Sequence, residues 1–98
     1  MTYYIKKLDN RHAMKKDGFT HMLEWTNVTS LIKSPNSRNQ FYAIQRAASE
    51  IFGNSWSRYF NNTAKWASVS NVSRIPPRIY FKSEKYISLV LMAAEVPA

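Results

Sequence analysis

The chain has 98 residues, a formal net charge of +8, 45% hydrophobic residues and no cysteine. Its length predicts a single domain over residues 1–98, and the absence of cysteine excludes disulfides, thiolate metal sites and cysteine nucleophiles. The N-terminus has no apolar core of a signal peptide, and the longest apolar segment, residues 86–94, is too short to span a bilayer, so we expect a cytoplasmic protein that does not enter membranes.

The N-terminal third contains one predicted strand and one ambiguous segment. Residues 2–8 are rich in side chains that favour strands, and residues 9–18 are polar and predict a loop. Residues 19–32 show both the alternation of a strand and the spacing of a helix. We favour a helix that begins after Asp17.

The clearest element is a helix over residues 38–52. Ser37 and Gln40 have the spacing of a capping box at its start, and Gly53 follows where a helix-terminating glycine belongs. The apolar residues between them recur at helical spacing and mark the buried face: Phe41, Ile44, Ala48, Ile51 and Phe52.

The C-terminal part predicts two further strands, residues 65–72 and 78–81, separated by Pro76-Pro77. Ser83 is a suitable N-cap for a closing helix that Pro97 ends. Together these elements predict an α+β domain, with a small two- to three-stranded antiparallel sheet and two to three helices packed on one face. The open edge of such a sheet would permit a homodimer.

The 33 residues between Glu50 and Glu84 contain no acidic side chain. Basic and aromatic residues alternate there with serine, threonine and asparagine, a composition suited to binding a polyanion. Its basic side chains are the predicted phosphate contacts: Arg58, Lys65, Arg74, Arg78 and Lys82.

Only some of the rings in this run are expected to reach a partner. A domain of this size has few other large side chains to bury, so we expect Phe52, Trp66 and Phe81 in the core. Trp56 and Tyr59 lie in a polar loop and are candidate stacking or anchor residues.

A second basic cluster lies near the N-terminus and comprises Lys6, Lys7, Arg11, Lys15 and Lys16. A solvated face without a partner is an equally good explanation of these residues. If the cluster lies beside the bases of residues 58–82, the two would form one continuous positive surface.

No catalytic or metal-binding pattern is present in the sequence. His12 and His21 are accompanied by no cysteine and no acidic cluster, the carboxylates are dispersed, and the two glycines form no phosphate-binding loop. We therefore expect no enzyme activity, no metal and no cofactor. A ribonuclease that uses His12 or His21 as an acid–base group is the remaining catalytic alternative.

Three short segments resemble those of short accessory proteins of tailed bacteriophages. They are Tyr3-Tyr4-Ile5, Phe19-x-x-Met22-Leu23-Glu24-Trp25 and Tyr80-Phe81-x-Ser83-Glu84-Lys85. The resemblance implies a phage-encoded protein that binds and redirects a host component, a group that includes inhibitors of host defence. It implies no catalytic residues.

Two functional hypotheses follow from the sequence. In the first, the protein is a non-catalytic binding protein whose basic surface engages nucleic acid or a host complex that carries it. In the second, it is a phage-encoded inhibitor that docks on an acidic protein surface of a host defence or nucleic-acid-processing enzyme.

Overall fold

The computed structural model describes residues 3–25, 35–69 and 76–95. These ranges form, in chain order, β1 (Tyr4–Lys7), β2 (His21–Glu24), α1 (Pro35–Phe52), β3 (Trp66–Val69), β4 (Arg78–Phe81) and α2 (Glu84–Ala93). A short 3-10 helix, Ala13–Asp17, lies between β1 and β2, in the segment predicted to be a loop. The predicted α+β class is confirmed, but the sheet has four strands rather than two or three.

The four strands form one antiparallel sheet in the order β1-β2-β4-β3. β2 and β4 lie at the centre, and their register places Glu24 opposite Arg78 and His21 opposite Phe81. On the other side of β2, Glu24 lies opposite Tyr4 of β1. β1 and β3 are therefore the outer strands of the sheet.

The predicted helix after Asp17 is wrong, because β2 occupies part of that segment. Leu23 is fully buried on the face that packs against the α-helices, and its neighbour Met22 is buried on the opposite face. Since both faces of β2 are covered, its sequence lacks the clean apolar–polar alternation of a strand with one exposed face. Residues 26–32 of the predicted helix lie outside the described ranges.

The two predicted α-helices are confirmed, but Ile51, predicted on the buried face of α1, is exposed, and α1 also differs at its start. This helix begins at Pro35 rather than at residue 38, so Ser37 is a buried residue of its first turn and not its cap. Proline suits the first position of a helix, where its missing N–H would have had no partner. At the other end, Gly53 adopts a φ of +85° and its N–H donates to the Ser49 carbonyl, as expected of a terminating glycine.

The elements predicted after α1, two strands and a closing helix, are all present in the structure. Ser83 caps α2, its hydroxyl accepting a hydrogen bond from the Lys85 N–H. β4 has the predicted bounds, whereas β3 covers only the first part of the strand predicted over residues 65–72, and residues 70–72 lie outside the described ranges. α2 ends at Ala93, with Ala94 as its C-cap, so the helix stops before the predicted position at Pro97.

The main core lies between the sheet and the two α-helices, which both pack on one face as predicted. It contains Trp66 and Phe81 as expected, and Phe52 packs half-buried at its margin against Tyr86. A smaller cluster covers part of the opposite face and comprises Leu8, Phe19, Met22, Ala67 and Tyr80, with Met14, Trp56 and Val69 packed against it. The residues of this second cluster position the candidate site.

Candidate functional site

The segment between α1 and β3 forms a small closed loop whose shape is fixed by hydrogen bonds. Ser57 and Asn61 exchange two backbone hydrogen bonds, of 3.1 and 3.0 Å. The Asn61 side-chain amide also donates to the carbonyls of Asn54 and Ser55 at 3.0 and 3.2 Å. Because these bonds close both ends of residues 58–60, the tip is held in one place away from the sheet.

The tip of this loop carries Arg58, Tyr59 and Phe60, and all three side chains are exposed. Tyr59 is 83% exposed and Phe60 is 93% exposed. Single exposed apolar residues are common on protein surfaces. Two adjacent exposed rings at the tip of a loop that is closed by hydrogen bonds instead form an aromatic surface that a partner could contact. Tyr59 and Arg58 were predicted as site residues, whereas Phe60 was not.

Trp56 anchors this loop to the sheet rather than projecting with it. Its backbone N–H donates to the Trp66 carbonyl at 2.7 Å, and its half-buried ring meets Phe19 edge-on with centroids 6.0 Å apart. Trp56 therefore serves as the base of the loop, and of the two rings predicted for the site only Tyr59 is fully available to a partner.

Phe19 also brings the two predicted basic clusters together. The Lys82 Nζ lies 5.4 Å from the centre of the Phe19 ring. Gly18, beside it in the chain, has a φ of +94° and lies so close to Lys82 that an added Cβ would be 3.7 Å from the lysine Cε. Since Gly18 follows directly on the 3-10 helix that carries Lys15 and Lys16, this part of the N-terminal cluster adjoins Lys82, one base of the segment between Glu50 and Glu84.

Lys65 directly precedes β3 and lies beside Lys82, which directly follows β4, but the Lys65 side chain points to the helical side of the sheet. Its carbonyl accepts a hydrogen bond from the Lys82 N–H at 3.1 Å. Its Nζ lies 5.8 Å from the centre of the Phe52 ring and 5.7 Å from that of Tyr86. Lys65 thus extends the positive surface around the end of the sheet towards α2.

Arg78 and Lys6 are held by one buried carboxylate, that of Glu24, which is 4% exposed. Lys6 donates to one carboxylate oxygen at 2.6 Å, and the Arg78 Nε donates to the other at 2.5 Å. Burial alone would raise the pKa of Glu24, but the hydrogen bonds and positive charges of Lys6 and Arg78 outweigh it and hold the pKa below its usual value. Glu24 therefore stays ionised and joins strands β1, β2 and β4.

A chain of polar contacts continues from Arg78 across the sheet. The Arg78 Nη1 donates to the Tyr80 hydroxyl at 3.4 Å, and that hydroxyl lies 3.4 Å from the Nε2 atom of His12. The other ring nitrogen of His12 accepts a hydrogen bond from the Met14 N–H at the start of the 3-10 helix. Both ring nitrogens of His12 thus have structural partners, which is typical of a histidine that fixes a fold.

His21 lies apart from these groups, on the helical side of the sheet. Its Nδ1 is 2.8 Å from the Thr20 hydroxyl, and its Nε2 is 3.9 Å from the carboxylate of Glu84. Within residues 3–25, 35–69 and 76–95, no three histidine or acidic side chains are close enough together to hold a metal ion.

Most of the positive charge has no acidic partner in the described part of the chain. That part contains twelve lysines and arginines, and among them only Lys6 and Arg78 lie within 4.0 Å of one of its carboxylates. The other ten are Lys7, Arg11, Lys15, Lys16, Arg38, Arg46, Arg58, Lys65, Lys82 and Lys85. Uncompensated charge of one sign creates a positive potential that extends into solvent and attracts anions.

No protein-family model, curated protein or solved structure matches the chain. Neither of the α-helices in the described ranges combines the length and apolarity needed to cross a membrane.

Some of the predicted site residues lie close together in the structure, and others lie elsewhere. Trp56, Lys82 and the 3-10 helix with Lys15 and Lys16 meet around Phe19. Other predicted residues sit elsewhere: Lys6 and Arg78 are bound to Glu24, Lys7 lies on the outer strand β1, and Arg11 lies in the turn before the 3-10 helix. Arg74 lies outside the described residues.

Phe60 is the site residue that the sequence analysis missed. A phenylalanine is ordinarily assigned to the core, and only its place between Tyr59 and the polar pair Asn61-Asn62 indicated a loop tip.

A broad, open depression of about 740 Å³ adjoins the base of the loop, where Asn54 and Ser55 contribute to its wall. Arg46 and Glu50 both line it, so its charge is mixed and favours no particular ligand.

Proposed function

We propose that this protein is a small, basic, non-catalytic binding protein that engages nucleic acid or a complex that carries nucleic acid. The observation that carries the proposal is the set of ten basic side chains without a carboxylate partner in the described ranges. A folded domain gains no stability from holding like charges unpaired, and a surface of this kind attracts anionic partners.

The proposed contact surface lies over the buried Phe19 ring and extends to the loop tip. Lys82, Lys15 and Lys16 would neutralise phosphates beside Phe19, with Lys65 and Arg58 at the margins. Each phosphate contact releases a counterion, so the affinity should fall steeply with salt. A plot of the logarithm of the association constant against the logarithm of the salt concentration should have a slope of about −0.7 to −0.9 per contact.

The absence of catalysis is part of the same proposal. The groups best suited to acid–base chemistry are committed to the fold, since Glu24 is ionised between two cations and Tyr80 is only 2% exposed. His12 has a partner at both ring nitrogens. These contacts favour a structural role over that of a ribonuclease, and unchanged RNA cleavage in a His12→Ala, His21→Ala double variant would dismiss the ribonuclease.

Fluorescence anisotropy at two salt concentrations tests the proposal directly. We expect labelled oligonucleotides to bind at low salt and to dissociate as salt is raised. Arg58→Gln and Lys16→Gln should both weaken binding, whereas Arg38→Gln, in the first turns of α1, removes the same charge and should have a smaller effect. Failure to bind DNA or RNA of either strandedness at low salt would refute the proposal.

A second candidate function is inhibition of a host enzyme by protein–protein contact, as the resemblance to phage accessory proteins implies. The observation that favours it is an exposed apolar pair on α2, where Leu89 and Met92 are 50% and 79% exposed and lie one helical turn apart. An apolar pair offers no contact to a phosphate group, whereas methionine is enriched in protein–protein interfaces.

A pull-down from bacterial lysate, with and without nuclease, separates the two candidates. Partners that disappear on nuclease treatment support nucleic-acid binding. A protein partner that is still captured after nuclease treatment, but is no longer captured by the Met92→Asp variant, supports the inhibitor.

A homodimer through an outer strand of the sheet stays a prediction that light scattering would test.

A further inference from the structure

We infer that the nucleic acid bound by this protein is single-stranded, and that Tyr59 and Phe60 stack on its unpaired bases. The inference rests on the proposed function and assigns to it a class of ligand and two contact residues. It follows from the exposure of the two rings, from the rigidity of the loop that carries them, and from the charge around its base.

Both rings are unused by the described part of the fold. Tyr59 and Phe60 are 83% and 93% exposed, and neither takes part in the ring–ring or cation–ring contacts of the described residues. The other rings of the loop and its surroundings behave differently, since Trp56 packs on Phe19 and Trp66 is buried. The tip is therefore the place on this loop where a flat ligand can lie against an aromatic face.

Hydrogen bonds hold the backbone that carries these rings in a defined position. The Ser57–Asn61 backbone pair and the two hydrogen bonds of the Asn61 amide close the loop on both sides of residues 58–60. A contact surface that is ordered before binding loses less conformational entropy when the ligand arrives. A flexible tail with the same two rings would lack this advantage.

The chemistry of the tip suits an unpaired base better than a duplex. In a double helix the base faces are stacked on one another, so an aromatic side chain reaches them only by forcing base pairs apart. In a single strand the faces are accessible, and every base offers one, so that stacking is tolerant of sequence. Arg58 lies on the same loop and supplies a charge for the phosphate that follows the stacked base.

The base of the loop leads from the rings to the rest of the positive surface. Trp56, two residues before Arg58, contacts Phe19, and Lys82 lies over that same Phe19 ring. A strand whose bases stack at the tip would therefore have its backbone within the region of Lys82 and the 3-10 helix. This arrangement of rings followed by cations is typical of proteins that bind single strands by stacking and charge.

The test is an anisotropy titration with a short single-stranded oligonucleotide and with the duplex of the same sequence, at one salt concentration. The variants are Tyr59→Ala, Phe60→Ala and Phe60→Leu, with Met92→Ala as the control that removes an equally exposed apolar side chain from α2. The three side chains that these four variants change all project from the surface, so melting temperatures should stay near that of the parent protein and confirm that each variant folds.

We expect the single strand to bind more tightly than the duplex. Tyr59→Ala and Phe60→Ala should each weaken single-strand binding by roughly five- to a hundredfold, while the duplex and the Met92→Ala control change little. Phe60→Leu should also weaken single-strand binding, because leucine keeps the apolar bulk but lacks the flat ring on which a base can stack.

Two outcomes would overturn the inference. Equal binding of single strand and duplex, with the ring variants unchanged, would mean that charge alone holds the ligand, and the proposed function would then stand without the stacking. A loss of binding to a nuclease-resistant protein partner in the ring variants, with oligonucleotide binding unchanged, would assign the loop to protein recognition. If no oligonucleotide binds at all, the proposed function itself fails.

Discussion

Arg78 on β4 and Glu24 on β2 lie directly opposite each other in the sheet register and are joined by a hydrogen bond of 2.5 Å from the arginine Nε to a carboxylate oxygen. The other oxygen of Glu24 holds Lys6 from β1. One nearly buried carboxylate thus bridges three strands, and its removal would leave two cations close together without their shared partner.

Replacement of this carboxylate should destabilise the protein. We expect Glu24→Gln to lower the free energy of unfolding by roughly 1–3 kcal/mol, because hydrogen bonds to two charged groups are weakened at a site with little access to water. Glu84→Gln, which alters an exposed carboxylate at the start of α2, should change stability by no more than about 0.5 kcal/mol. Urea denaturation of both variants measures the difference, and equal stabilities would contradict the bridging role of Glu24.

The same carboxylate should make stability depend on acid pH. The pKa of Glu24 in the folded protein lies below its unfolded value, which is about 4.3 for a free glutamate side chain. Its contribution is therefore fully present above the unfolded pKa and is lost as the pH falls through the folded pKa. The difference in unfolding free energy between the parent and Glu24→Gln should be constant near neutral pH and shrink below about pH 4. A difference that does not vary with pH would show that ionisation of Glu24 is irrelevant to folding.

Gly53 is expected to set the point where α1 gives way to the loop. Its φ of +85° lies in the left-handed region, and no atom beyond its chain neighbours lies within 4 Å of the position that a Cβ would occupy. Gly53→Ala should therefore lower the free energy of unfolding by about 1–2 kcal/mol through backbone strain alone. Gly53→Asn should cost less, since asparagine tolerates this conformation better. Thermal melts that rank alanine at or above asparagine would contradict this explanation.

Asn61 links the stability of the loop to the proposed binding. Asn61→Ala removes the two hydrogen bonds to the carbonyls of Asn54 and Ser55 and should cost about 1 kcal/mol of stability. Because the tip would lose its fixed position, oligonucleotide affinity should fall although no contact residue has changed. Asn62→Ala, at the exposed neighbouring position, is the matched control and should leave both quantities near those of the parent. Equal oligonucleotide affinities for the two variants would show that binding does not depend on the hydrogen bonds that order the loop.

The sequence by itself determined the elements whose signals are local. The helical stripe and Gly53 specify α1, Ser83 specifies the start of α2, and the short β-favouring run gives β4, because caps, turns and periodicity act over a few residues. The excess of positive charge was also evident, since composition alone reveals it.

Only the tertiary structure decided the identity of β2 and the partners of its side chains. Residues 21–24 fit both periods and became a strand because β1 and β4 pair with them on either side. The meeting of Lys82 with Gly18 and of Glu24 with Arg78 joins positions far apart in the chain, which no local pattern encodes. The exposure of Phe60 was equally hidden, because whether a ring is buried depends on what packs against it and not on the residue itself.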